Sequence, residues 1–297
     1  MTIPPIVEVN MKPARRTAVT FCRMIKIEHS IFALPWAWAG AVLAARGLPP
    51  LFPLLMLTVA MIAVRSFAMG LNRIVDLPFD RENPRTCERA LVTGEISLSQ
   101  AWLFCGAAAL IFILACACIN SLCLTLALPA LVFTAIYSLL KRLTPICHYW
   151  LGASLGLAPL AGWLSINPNH LDLAPLLLFC AVTLWVGAFD IYYAFQDLDF
   201  DTAFDLHSIP ADYGPETALI MAGFSHVMTS VFLALFGLAA QLSLIWYAFW
   251  LGISVLLLVE HRLMLRRNPA RINMAFFTLN GIVSPLVLLG IILGLVR

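Results

Sequence analysis

Apolar runs of about twenty residues, split by short polar segments, fill this chain. They predict helices over about 30–46, 51–75, 98–118, 121–140, 146–166, 173–196, 217–240, 242–260 and 274–296. A bilayer core about 30 Å thick is crossed by about 20 apolar residues rising 1.5 Å each. The pattern therefore predicts an all-α polytopic membrane protein of about nine transmembrane helices. Adjacent runs almost touch at Lys141–Pro145 and at Gln241–Ser243, so the divisions there are the least marked. Hydrophobic residues make up 62% of the chain and charged ones 11%, which excludes a soluble globule. With 297 residues there is no room for a sizeable soluble domain, and 1–297 is expected to be one integral-membrane domain.

Two interruptions of the apolar pattern carry the chemistry. The first is Asn72-Arg-Ile-Val-Asp76-Leu-Pro-Phe-Asp80, and the second is Asp190-Ile-Tyr-Tyr193-Ala-Phe-Gln-Asp197-Leu-Asp-Phe-Asp201. On a continuous helix the step of four stacks Asn72, Asp76 and Asp80 on one face. Asp190, Tyr193, Asp197 and Asp201 form a second stripe. Each ladder ends a run long enough to cross a bilayer, where ionisable residues are costly and mark function. Stacked carboxylates repel unless a cation lies between them. Hard oxygen donors of this kind suit Mg²⁺ shared with a phosphate. Asp76 and Asp80, with Asn72 as a neutral oxygen donor, would hold one ion, and Asp197 with Asp201 a second. Tyr193, on the ladder face, offers an electron-rich ring to a carbocation.

Charge distribution orients the ladders. With the amino terminus in the cytoplasm, Arg73, Arg81, Arg85, Arg89, Lys141, Arg142, Arg262, Arg266, Arg267 and Arg271 all fall on the cytoplasmic side. Only Arg46 and Arg297 fall opposite, a positive-inside bias that places the carboxyl terminus outside. Both ladders then end helices at the cytoplasmic face. The expected location is a bacterial inner membrane. Segment 1–29 carries Lys12, Arg15, Arg16, Arg23 and Lys26 without an early apolar core or a small-residue cleavage site. It reads as a basic amphipathic helix on an anionic leaflet rather than a signal peptide.

Several cations could serve a substrate anion. Arg81, Arg85, Lys141 and Arg142 cluster on the ladder face, and Arg65 lies seven residues before Asn72 inside an apolar run. Arg65 contacts either substrate or the ladder, or forms a structural pair with Glu28 or Asp190. His29 reads as an interfacial cap. His148, His170, His226 and His261 show no metal-ligand spacing and read as structural. Asn273 and Asn280 share a face of the last helix and either line a pocket or join helices. The eight cysteines form no Cys-x-x-Cys pair and read as free apolar thiols.

At the ladders the chain resembles the UbiA superfamily of membrane aromatic prenyltransferases, whose two aspartate motifs both stand here without substitution. The likeness runs from Ile25-Lys-Ile-Glu-His29 to the ninth helix. It implies a UbiA-like helical bundle with cytoplasmic cap loops, two Mg²⁺ ions, a polyprenyl diphosphate donor and a small aromatic acceptor. It also implies a lateral opening to lipid for the isoprenoid tail. Asn83-Pro84-Arg85-Thr86 and Leu206-His-Ser-Ile-Pro210 look like the 4-hydroxybenzoate polyprenyltransferase group of respiratory quinone biosynthesis. The segments Ile27–Pro35 and Ala275–Gly281 look closer to menaquinone-route relatives that act on 1,4-dihydroxy-6-naphthoate. With Asp197 and Asp201 serving the metal, Asp190 is left to position Arg65 or the acceptor. No nucleic-acid partner is expected. An intramembrane transporter or lipid-binding protein, or a Mg²⁺-dependent lipid-headgroup transferase, is the alternative class. Loops Arg81–Ser97 and Thr202–Pro215 lack an apolar stripe and are expected to be loosely ordered before substrate binds.

Overall fold

The computed structural model describes residues 13–25, 30–265 and 279–296. His29, Glu28 and Asn273 lie outside them, as do Arg266, Arg267 and Arg271. The described chain is all-helical, in the order α1 Pro13–Met24, α2 Ser30–Ala45, α3 Leu51–Val75, α4 Leu77–Glu82, α5 Leu98–Ile119 and α6 Ser121–Leu140. There follow α7 Cys147–Ile166, α8 Leu173–Ala194, a 3₁₀ turn Phe195–Asp197, α9 Leu198–Ala203, α10 Ile209–Ala239, α11 Leu244–Met264 and α12 Asn280–Gly294. Six of these (α3, α5, α6, α8 with its extension, α10 and α11) are long and apolar enough to cross a membrane, and Ala33–Ala45 and Asn280–Gly294 are shorter apolar helices.

The helices are apolar outside as well as inside, as a lipid solvent requires. Leu103, Leu110 and Leu114 of α5, and Phe224, Val227 and Val231 of α10, are all exposed. The core gathers around α8, which packs between α7 and α10. In its most apolar stretch 61% of residues are buried, against 17% in α6, so among the six long helices α8 is the least available to lipid. Trp36, Trp185, Phe236 and Trp246 are among the largest fully buried side chains of this core. Small residues bring the helices close, as is usual in membranes. A Cβ on Gly152 of α7 would run into the Thr183 carbonyl oxygen of α8. All eight cysteines are free.

Neither ladder is one continuous helix. α3 stops at Val75 because Pro78 lacks an amide hydrogen and its ring presses on the carbonyl four residues earlier. Asp76 sits at the break (φ −83°, ψ −2°). The amides of Asp76 and Asp80 still reach the carbonyls of Asn72 and Asp76 at 2.9 and 2.8 Å, so the column survives as a bent one. The second stripe is interrupted by the 3₁₀ turn Phe195–Asp197 before α9 resumes. α4 ends where Asn83, preceding Pro84, is pushed to extended backbone (φ −86°, ψ 117°).

Both loops carry turns and helix in this conformation. Asn83 and Arg89 carbonyls accept from Thr86 and Val92 amides at 2.9 and 2.8 Å. Leu91 and Ile96 are buried with Met24, Ile25 and Ala101, so the end of α1 and the first loop share a small core. Burial of those apolar side chains favours this conformation of the loop. In the second loop, Ser208 caps α10, accepting from the Ala211 amide, and the helix runs from Ile209 through a kink at Gly214 (φ +80°). That helix begins eight residues before the expected start near 217.

Candidate active site

The bent ladders on α3–α4 and α8–α9 face one another across a cavity of about 260 Å³. Four of the five ladder acids each pair with a Lys or Arg. Asp76 pairs with Arg142 at 3.3 Å and accepts from the Asn72 amide at 2.8 Å. Asp80 pairs with Arg89 at 2.6 Å. Asp197 takes Arg85 in a two-pronged contact at 2.8 and 2.5 Å, plus the Asn83 amide at 3.0 Å. Asp201, fully buried, pairs with Lys141 at 2.7 Å. Planar guanidinium groups suit such double contacts with carboxylates.

Local sequence explains how these cations arrive. Asn83 and Arg85 flank Pro84, and the Asn83 side chain accepts from the Arg85 amide at 2.9 Å, a turn that aims both side chains at Asp197. Lys141 and Arg142 end α6; Arg142 also donates to the Val75 carbonyl at 2.7 Å, tying α6 to the break in α3. The Lys141 carbonyl accepts from the His207 amide at 2.8 Å, which joins α6 to the second loop.

The electrostatics follow from this packing. Burial lifts the Asp76 carboxyl above the usual carboxylate range, and Asp80 adds to the lift against the pull of Arg142 and Lys141. Burial disfavours the charged Lys141 ammonium, but Asp201, with Asp197 and Asp76 beyond, outweighs it and raises its pKa. Arg85 is likewise raised, burial being overcome by Asp197.

Most of the expected residues converge. Arg65, Asn72, Asp76, Asp80 and Arg85 wall the cavity from one side, and Lys141, Arg142, Asp190, Tyr193 and Asp197 from the other. Asp201 lies behind Lys141 rather than in the wall. Arg81 is a correction: it is exposed and outside the wall, because on α4 the residue after an inward Asp80 turns about 100° away. Arg89 takes the place expected of it. Arg85 donates to the Tyr193 hydroxyl at 3.4 Å and lies 5.5 Å from the Tyr193 ring centroid. Asn280 joins helices: it accepts from Trp185 at 2.8 Å and donates to Glu260 at 2.9 Å.

Sequence reasoning passed over Asn83, Arg89 and His148. Asn83 was signalled by the Asn-Pro turn, and Arg89 stood among the cytoplasmic cations. His148 had no local signal, since its partner Asp190 is 42 residues away, at 2.7 Å.

The donor set fits Mg²⁺, which keeps several waters and takes one or two protein carboxylates plus substrate phosphates. Asp76 and Asp80 supply such a pair on the cavity wall, and Asp197 supplies a carboxylate from the facing ladder, with Asp201 behind it beside Lys141. Among the described residues no three His, Cys, Asp or Glu side chains converge on one point, so an all-protein cage is not what is built here. The Asn72 amide turns its nitrogen to Asp76 and its oxygen to Arg73 at 3.3 Å. The cavity is polar at this mouth and apolar at depth, where Leu151, Leu155 and Val186 line it.

The profile of the UbiA prenyltransferase family matches residues 33–282. A 4-hydroxybenzoate octaprenyltransferase of Photobacterium profundum is 30% identical over 94% of this chain and 97% of its own length. Another of the same name, from Xanthomonas euvesicatoria, is 32% identical over 82% of this chain and 79% of its own. Among solved structures, a UbiA homologue from Aeropyrum pernix superposes with a TM-score of 0.82 at 32% identity, over 90% of this chain and 98% of that one. One from Archaeoglobus fulgidus, bound to DMAPP and Mg²⁺, shares the fold at a TM-score of 0.71 and 22% identity, over 92% and 99% of the two chains. A helical bundle apolar on its outside, two facing aspartate ladders and matches spanning almost the whole chain lead to one assignment: this enzyme belongs to the UbiA prenyltransferase family.

Proposed function

We propose that the protein transfers a polyprenyl group from polyprenyl diphosphate to an aromatic acid such as 4-hydroxybenzoate, in respiratory quinone biosynthesis. The observation that carries this reading is the pairing of the two carboxylate ladders with four cations around one cavity whose depth is apolar. It is supported by the 4-hydroxybenzoate octaprenyltransferases among the bacterial relatives and by the DMAPP and Mg²⁺ bound to the A. fulgidus homologue. Asp76 and Asp80, with Asn72 close by, would hold one Mg²⁺, and Asp197 and Asp201 a second. When bound, such ions neutralise diphosphate and make it a competent leaving group.

The chain's own residues do the rest. Arg85, Arg89, Lys141 and Arg142 reach the diphosphate oxygens and leave their carboxylates to do so. The isoprenoid tail runs along Leu151, Leu155 and Val186 toward lipid. Tyr193 faces the allylic carbon, where its ring favours positive charge. The acceptor carboxylate is held by Arg65 or Lys141, since an anion buried unpaired is costly. The folded cap excludes water that would quench the cation. The six long apolar helices, together with α2, α7 and α12, make nine crossings of the bilayer, with the amino terminus and both ladders at the cytoplasmic face.

The test is transfer by purified protein from labelled polyprenyl diphosphate. Product is expected with a phenolic acid and Mg²⁺, and none in chelator until Mg²⁺ is restored. Product with 1,4-dihydroxy-6-naphthoate and none with 4-hydroxybenzoate would move the reading to the menaquinone route. Failure with every aromatic acceptor would reject it.

A further inference from the structure

We propose that His148 is a positioning residue that holds Asp190 to receive the hydroxyl of the aromatic acceptor, a role that rests on the reading of the acceptor as a phenol. His148 stands in the first turn of α7, its side chain only 4% exposed, yet it borders the cavity. Both ring nitrogens are engaged. Nε2 accepts from the backbone amide of Ile209 at 3.2 Å, and that amide is one of the first-turn donors of α10 that no helical carbonyl satisfies. A nitrogen accepting from a backbone amide carries no proton of its own, so the neutral ring bears its hydrogen on Nδ1. Nδ1 is 2.7 Å from Asp190 Oδ2 and donates to it.

The consequence falls on Asp190. Its side chain is partly open to the cavity, one turn before Tyr193 and two before Asp197. Asp76, Asp80, Asp197 and Asp201 each meet a Lys or Arg at the polar mouth. Asp190 instead receives a hydrogen bond from a neutral imidazole whose tautomer is set from the far side by the second loop. One carboxylate oxygen is thereby fixed, and the other is left to accept from a hydroxyl entering the cavity. An acceptor oxygen hydrogen-bonded to a carboxylate is richer in electrons, and so is the ring carbon beside it. The site lies between the diphosphate-facing cations and the apolar depth, where the allylic carbon and the aromatic ring must meet.

The experiment compares His148→Leu, His148→Asn and Asp190→Asn as purified, folded proteins. Leu removes both ring contacts, whereas Asn restores a donor near the Nδ1 position. His148→Leu is expected to raise the KM for the phenolic acid, or lower kcat/KM for it, by about tenfold to a hundredfold. The KM for polyprenyl diphosphate and the Mg²⁺ requirement should stay near wild type. His148→Asn should recover most of the loss, and adding His148→Leu to Asp190→Asn should cost little more than Asp190→Asn alone. A structural role would move both substrates together or add independently, and either result overturns the proposal. Should His148→Leu not fold, the same cycle runs on His148→Gln, which keeps an acceptor for the Ile209 amide and takes the donor away from Asp190; losses additive with those of Asp190→Asn would overturn it equally. A wild type inert toward every phenolic acid would overturn the functional reading itself, and an active wild type with an unaltered His148→Leu would overturn this proposal alone.

Discussion

Asp76, Asp80, Asp197 and Asp201 are each matched by a Lys or Arg, so single substitutions separate charge from fold. Asp76 and Asp197 sit in the middle of their ladders and serve as proposed metal ligands. Replacing either by Ala is expected to cut prenyl transfer by about 10³-fold or more while leaving folded, membrane-inserted protein. Near-normal turnover of both variants at limiting Mg²⁺ would reject the two-site arrangement. Arg65, at the deeper edge of the cavity, is expected to bind substrate. Arg65→Met should raise the apparent KM for acceptor or donor about tenfold or more, and unchanged values for both would remove Arg65 from the substrate. Asn280 is the contrasting case. Asn280→Leu takes from the Trp185 indole and from Glu260 the hydrogen bonds they make to Asn280, at about 1–3 kcal/mol for each group. A lowered unfolding temperature in detergent, with near-normal kcat/KM in the folded fraction, is the expected outcome.

At the scale of elements, the spacing of acids was legible and the breaks between them were only partly so. Pro78 and Pro84 are visible in the sequence and account for the end of α3 and the extended Asn83. No proline marks the 3₁₀ turn before Asp197, where the tight pairing with Arg85 and Asn83 sets the local backbone against a plain helical continuation. The packing of α7 on α8 is a second element-scale feature. Gly152 follows His148 by one turn, and Thr183 precedes Asp190 by two. Since a methyl group at Gly152 meets backbone rather than a yielding side chain, Gly152→Ala should push the helices apart. The expected result is a loss of about 1–3 kcal/mol of stability with a fall in prenyl transfer, because the same two helices hold His148 and Asp190. An equally stable and active Gly152→Ala would show that the interface yields at no cost.

For the whole molecule, the remaining prediction is orientation. Cysteine at Asp199 should label from the cytoplasmic side and cysteine at Asn169 from the other, in a background without the eight native thiols. Labelling of both from one side would break the proposed crossing pattern. The hydrophobic pattern by itself determined that the chain is an all-helical membrane protein, because lipid demands about twenty apolar residues per crossing and spares few polar ones. The ladder spacing likewise determined which acids share a face, a property of helical pitch alone. Tertiary structure decided which cation meets which acid. Asn83 and Asp197 are 114 positions apart, and Arg85 reaches Asp197 across 112. It also decided that Arg81 faces out while Arg89 faces in, and that a histidine without any motif meets Asp190. Such partners are chosen by how helices and cap pack around α8, and spacing along one chain segment carries no record of what another segment brings to it.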